Sequence, residues 1–447
     1  MLAQINFHGW INIYYGGLDE MSAITISNNK RYFLNGKKKF FYLADTCWSA
    51  FTNISIYEWE EYLDFRRMQG FNVIQINILA QWDASETDLG IHPFNKNEDG
   101  TWNYYSLNDE YFDRAEKMVE IAISKGFIPA LVLLWCNYVP DTWAAKIDSK
   151  NILPIDMIEG YVEYAGRKFS KYNPIYIISG DTDFPSETTK EYYSIALNTI
   201  KKIAPNCIRT MHIRGRLMEL PEEFEISKDI DFYMYQSGHN SLHKDMSYLL
   251  AQNFYKKEQK KPVINSEPCY EQMGYSRQVY GRFTQFDVRK ALWQSLLSGA
   301  SAGITYGAHG IWSWHENGSS FGSNLGEGFD KPYYWRDALR FQGAWDYSFA
   351  KWIFDNYELC GIDPLVGYID KSEEIRMAGT EDLSMILIYI PVNTKVVINK
   401  KLEDYEFDIL DLSERHIGKP QMEIKDGKTI IEMHTFSQDV LVIAKKN

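Results

Sequence analysis

Between Phe40 and Gly307 the chain repeats one rhythm: a strand-length apolar run, a turn, then a longer stretch with helical periodicity. The runs are FFYLA at 40–44, FNVIQINIL at 71–79, FIPALVLLW at 127–135 and IYIISGD at 175–181. IRTMHI at 208–213, DFYMYQS at 231–237, PVINSEP at 262–268 and AGITYG at 302–307 complete the series. Helices are predicted near 57–69, 109–125, 155–171, 186–203, 243–258 and 284–298. Strands covered by helices on both faces are apolar throughout instead of alternating, as parallel sheets require. Eight such units favour a closed (β/α)8 TIM barrel over an open doubly wound sheet. No glycine-rich phosphate loop follows the first run, which counts further against a dinucleotide-binding fold.

Past residue 360 the helical period stops. VGYI, EIRMAG, SMILIYIP, KVVI, YEFDILD, MEIK, TIIEMH and VLVIA follow at short spacing, with an Asp426-Gly427 hairpin signal between two of them. The expected organisation is α/β: N-terminal strands over 1–39, a barrel over 40–355, and a small antiparallel β-sandwich over 360–447.

Residues 1–20 lack a basic leader, an unbroken apolar stretch and a small-residue cleavage site. No run reaches the eighteen apolar residues a membrane helix needs. Five widely spaced cysteines form no CxxC pair, so a reducing compartment fits better than a disulfide scaffold. A cytoplasmic location without membrane association is expected. The net charge of −13 disfavours a phosphate backbone as partner, so no nucleic acid is expected. His, Asp and Glu never cluster at a metal-ligand spacing, and no metal or cofactor is expected. A GxSxG elbow is absent too.

Active sites of such barrels lie at the C-terminal strand ends. There the chain offers Asp45 and Trp48, then Asn77, Gln81 and Trp82, then Trp135 and Asn137. Asp181, His212, Tyr235, Gln236 and His239 follow, and then Glu267, Tyr270 and Glu271. Tyr306, His309, Trp312 and Trp314 close the ring. Amides and carboxylates bind hydroxyls, and aromatic faces stack on sugar C–H surfaces. Two carboxylates across such a rim are the minimal apparatus for glycoside hydrolysis, one protonated and one ionised. Asp181 and Glu267 are the best pair, each ending an apolar strand and followed by a turn. Asp45, Trp48, Asn77, Trp135, His212, Tyr235, Gln236, His239, Glu271, Tyr306, Trp312 and Trp314 are the expected substrate-binding residues. Arg289, inside a helical pattern, is expected to make a structural ion pair.

FFYLADTCWSAF, YLDFRRMQGFNVIQINIL, IISGD, YQSGH, PVINSEPCYE and ITYGAHGIWSW together resemble the apiosidase-like catalytic domain family, glycoside hydrolase family 140 and its relatives. The resemblance covers roughly residues 30–350, and the C-terminal β-domain resembles the small domain that often follows this module. It implies a (β/α)8 barrel with the acid/base on Asp181 and the nucleophile on Glu267, hence a retaining enzyme for plant-type glycosides or oligosaccharides. Ser179 stands where the family pattern usually has a glycine. The alternative is a carbohydrate-binding protein on a barrel without catalysis; retention of both carboxylates weighs against it.

Overall fold

The computed structural model describes residues 23–321, 330–370 and 372–447. Eight parallel strands form the expected barrel: Tyr42–Thr46, Val73–Asn77, Ile128–Trp135, Ile175–Gly180, Arg209–Thr210, Tyr233–Tyr235, Val263–Asn265 and Gly303–Tyr306. They pair in the order five, four, three, two, one, eight, seven, six, so strand one sits between two and eight. The seam between strands five and six is held by turn and side-chain bonds. There the Asp231 N–H donates to the Arg209 carbonyl at 2.8 Å, and Thr210 Oγ1 donates to the Phe232 carbonyl at 2.7 Å. Strands one to four and six to eight are buried along their whole length, which explains their mostly apolar text.

Helices Ile56–Met68, Asp109–Ser124, Ile155–Phe169, Glu187–Ile203, Met246–Tyr255 and Gln285–Leu296 fall where periodicity places them. Two begin with reciprocal capping boxes, Ser55 with Glu58 and Thr284 with Asp287. Each satisfies two backbone N–H groups that a helix start otherwise leaves bare. Elements not anticipated include helix Gly343–Asn356 and a hairpin of Phe94–Lys96 and Trp102–Leu107 that precedes the helix at 109. The hairpin's signal is Asp99-Gly100, with Gly100 at φ +84°.

The N-terminal reading extends onto residues 1–22, outside the described residues. From Ile24 to Phe40 three short antiparallel strands form, turning at Gly36 with φ +61°. After helix Gly343–Asn356 the chain becomes antiparallel, with one six-stranded and one three-stranded sheet. Ile386, Ile388, Val396, Ile398, Ile431 and Val442 pack together between them. Met422–Lys425 pairs with Lys428–Ile431 across Asp426 and Gly427, both at positive φ, as a two-residue hairpin turn demands. VGYI is a correction: Gly367 at φ +87° turns the chain, and only Ile369 bridges to Ile398.

Arg289 makes the expected structural ion pair, and it joins the two parts. From helix Gln285–Leu296 its guanidinium grips Asp439 at 2.6 Å and Asp346 at 3.0 Å, all three buried. Tyr389 also donates to Asp439 at 3.0 Å. Buried carboxylates need such partners, since an unpaired buried charge costs several kcal/mol.

Candidate active site

Strand four ends at Gly180, and Asp181 follows in a left-handed conformation at φ +51°. A β-carbon at Gly180 would collide with the Trp135 ring, so only glycine lets the two strands approach. The Ser179 hydroxyl donates to the His212 carbonyl at 2.9 Å and ties strand four to strand five. The Asp181 N–H donates to His212 Nδ1 at 3.0 Å. That bond assigns the proton of the neutral imidazole to Nε2, which faces Glu267.

Glu267 ends strand seven between two imidazoles. His239 Nε2 lies 2.8 Å from Oε1 in hydrogen-bond geometry, and His212 Nε2 lies 3.2 Å from Oε2, close but less well aligned. Burial acts to raise the Glu267 pKa, but the contacts of His212 and His239 outweigh it and hold the group at about 2. Asp181 moves the opposite way. Burial, and then the negative charge of Glu267, push it well above the usual carboxylate range. Two carboxyl groups in one cleft are therefore driven apart, one toward the acid and one toward the anion.

Both line a cavity of about 80 Å³ together with Trp48, Gln81, Trp82, Asp83, Trp135, Trp143, Gln236, His239, Tyr270, Met273 and Trp312. The aromatic wall is braced from behind. Trp48 Nε1 donates to the Tyr270 hydroxyl at 3.1 Å, and Trp312 Nε1 to His309 Nδ1 at 3.2 Å. Trp143 Nε1 donates to the Asp181 carbonyl at 2.8 Å. Of the expected binding residues, Trp48, Trp135, Gln236, His239 and Trp312 reach this cavity. His212 lies just behind it, and so does Asn77, whose amide donates to Gln81. Sequence reasoning noticed Gln81, Trp82 and Tyr270 on the rim without counting them as binding residues. Asp83, Trp143 and Met273 it missed; for Asp83 the signal was its place directly after Trp82.

Five expectations are corrected by burial. Asp45 is fully buried and accepts from Arg66 Nε at 2.5 Å and from the Tyr62 hydroxyl at 2.7 Å, so it anchors helix Ile56–Met68. Tyr235 faces outward, donates to the Ser247 carbonyl at 2.9 Å and stacks on Phe254; the pleat then turns its neighbour Gln236 inward. Trp314 is fully buried, stacked on Trp335 with ring centroids 4.3 Å apart. Tyr306 donates to Glu271 at 2.6 Å, and Glu271 also accepts the Gly343 N–H at 2.8 Å. These two knit strand eight to helix Gly343–Asn356 behind the loop that carries Tyr270.

Burial raises Glu271 to about 7 from the ordinary carboxylate value of 4.5. A group raised in the folded state contributes stability that is complete below its unfolded pKa and is lost as pH rises through the folded value. Stability is thus expected to fall between pH 4.5 and 7 on account of Glu271, by about 3 kcal/mol. Urea unfolding at pH 5 and pH 8 checks this: Glu271→Gln should flatten that slope, and an unchanged slope would refute the assignment.

The barrel, its strand-end carboxylates and its tryptophan-lined cleft define a carbohydrate-active enzyme class. The family model described as "Apiosidase-like, catalytic domain" matches residues 27–360. The chain belongs to that family and is a glycoside hydrolase by membership. A solved structure named "Glycoside hydrolase" is similar at 19% identity and TM-score 0.77, with 95% of this chain and 97% of that one covered. A glycoside hydrolase family 5 structure from Bacteroides vulgatus ATCC 8482 is similar at 19% identity and TM-score 0.78, covering 95% and 93%. At such identities the likeness is one of fold. No curated protein sequence matches the chain. No described helix is long and apolar enough to cross a membrane.

Proposed function

We propose that this protein hydrolyses the glycosidic bond of a plant-type glycoside or short oligosaccharide with retention of configuration. Asp181 protonates the leaving oxygen while Glu267 attacks the anomeric carbon, and Asp181 then takes a proton from the water that releases the sugar. The observation that carries this reading is the opposed polarisation of the two carboxyl groups within one cleft. Glu267 is held ionised by imidazole contacts, as a nucleophile must be, and Asp181 is shifted toward its protonated form, as an acid needs. Trp48, Trp135, Trp312, Gln236 and His239 supply the stacking faces and hydrogen bonds of a sugar subsite. A second cavity of about 310 Å³ shares Asp181, Trp143, Gln236 and His239 with the first, and gives the leaving group room on the acid's side.

The test is a panel of 4-nitrophenyl glycosides, apiosides and arabinofuranosides included, with plant oligosaccharides alongside. Proton NMR of the first-formed product is expected to show the starting anomer. The opposite anomer would refute the nucleophilic role of Glu267, and a panel left uncleaved would favour a binding protein.

A further inference from the structure

Asp83 lies on the loop after strand two, and its side chain lines the cleft that holds Asp181 and Glu267. It is fixed in place by a relay: the Asn77 amide donates to Gln81, and the Gln81 amide donates to Asp83 Oδ1. Asn77 in turn ends strand two, and its N–H donates to the Trp48 carbonyl at 3.1 Å. The carboxylate is therefore tied to the barrel frame. It caps no helix, and no basic side chain accounts for it among the described residues. Burial, with Glu267 adding to it, raises Asp83 to about 6, so this placement costs stability. Across the same cleft Gln236 is 6% exposed, and its Oε1 has no hydrogen-bond partner. Two polar groups thus face one tryptophan-lined space with bonding capacity left over, and sugar hydroxyls are the chemistry that fills it.

We propose that Asp83 is a substrate-binding residue that accepts hydrogen bonds from hydroxyls of the sugar ring undergoing cleavage. The inference rests on the glycosidase reading and adds a specificity determinant to it. The carboxylate selects a ring with a hydroxyl within its reach, and a deoxy sugar at that position forfeits the contact. The other ionisable groups facing this corner are Asp181, Glu267 with its two histidines, Cys136, and the Asp183–Arg214 pair at 3.1 Å.

The experiment uses Asp83→Ala, Asp83→Asn and Glu267→Gln in the full chain, on the 4-nitrophenyl glycoside that the wild type cleaves fastest. Loss of a hydrogen bond to a charged group should lower kcat/KM by about 10- to 100-fold in D83A, mostly through KM. On the deoxy-glycoside lacking the held hydroxyl, wild type and D83A should converge. Removing the Asp83 charge should also move the basic limb of the pH–rate profile to lower pH, because that charge favours protonated Asp181. A merely structural loop residue would shift neither the convergence nor the limb. The near-isosteric D83N keeps the Gln81 contact and decides the matter if D83A misfolds. Kinetics within twofold of wild type for D83N, beside an inactive E267Q, would overturn this inference alone. An active E267Q, or a wild type that cleaves none of the panel, would overturn the glycosidase reading and this inference with it.

Discussion

Glu267→Gln is expected to lower kcat by about 1000-fold or more while leaving the fold intact. Glutamine keeps the volume and one carbonyl oxygen for His239, 2.8 Å away in the native protein, so the cleft retains its shape. What disappears is the anionic oxygen. An amide does not attack an anomeric carbon at a useful rate, and the two-step route is closed. The imidazole contacts make Glu267 a strongly ionised group, at about 2, and so the acidic limb of the wild-type pH profile should lie low. The same depression is a stability contribution, present above the unfolded carboxylate pKa and lost as pH falls toward 2. Steady-state rates and circular dichroism on the purified variant check the first claim. A 2-fluoro glycoside should label wild type at Glu267 and leave the variant unlabelled. Near-normal turnover by E267Q would remove Glu267 from the mechanism.

Asp181→Asn should cost about 100- to 10,000-fold in kcat on glycosides with poor leaving groups, the usual worth of general acid–base catalysis. The loss on a 4-nitrophenyl glycoside should be smaller in the first step, since that leaving group departs as a stable anion. Burial, and then Glu267, raise the Asp181 pKa, so the wild type should stay active well above the ordinary carboxylate range. Activity then falls as Asp181 ionises, and this basic limb should vanish in D181N. The comparison of two leaving groups separates a lost acid from a distorted cleft. A uniform loss across both substrates, with the basic limb retained, would assign the acid role elsewhere.

Much of this architecture was legible because burial on both faces leaves a direct mark in composition. Ile128–Trp135 is apolar at every position since helices cover it inside a parallel sheet. Asp426-Gly427 announced its hairpin because few residues adopt positive φ at two consecutive positions. The hairpin at 94–107 escaped notice, as its first strand has only three residues and its second, Trp102–Leu107, is half-exposed and carries no regular apolar alternation. Within the site, strand ends located Asp181 and Glu267 because the barrel places every such end on one rim.

Position along the chain does not tell which way a side chain points, and here the tertiary structure decided. Asp45 and Asp181 both close a barrel strand in the text. One turns outward to Arg66 and Tyr62, and the other turns into the tryptophan-lined cleft. Trp312 and Trp314 stand two residues apart, yet one lines the cleft and the other stacks on Trp335 in the core. The sequence by itself determined the barrel and its β-rich companion and placed Asp181 and Glu267 at strand ends, because those follow from local patterns of burial and turn. Only the folded chain supplied the opposed surroundings of that pair and the company of Asp83, because distance, desolvation and neighbouring charge come from residues far apart in the chain.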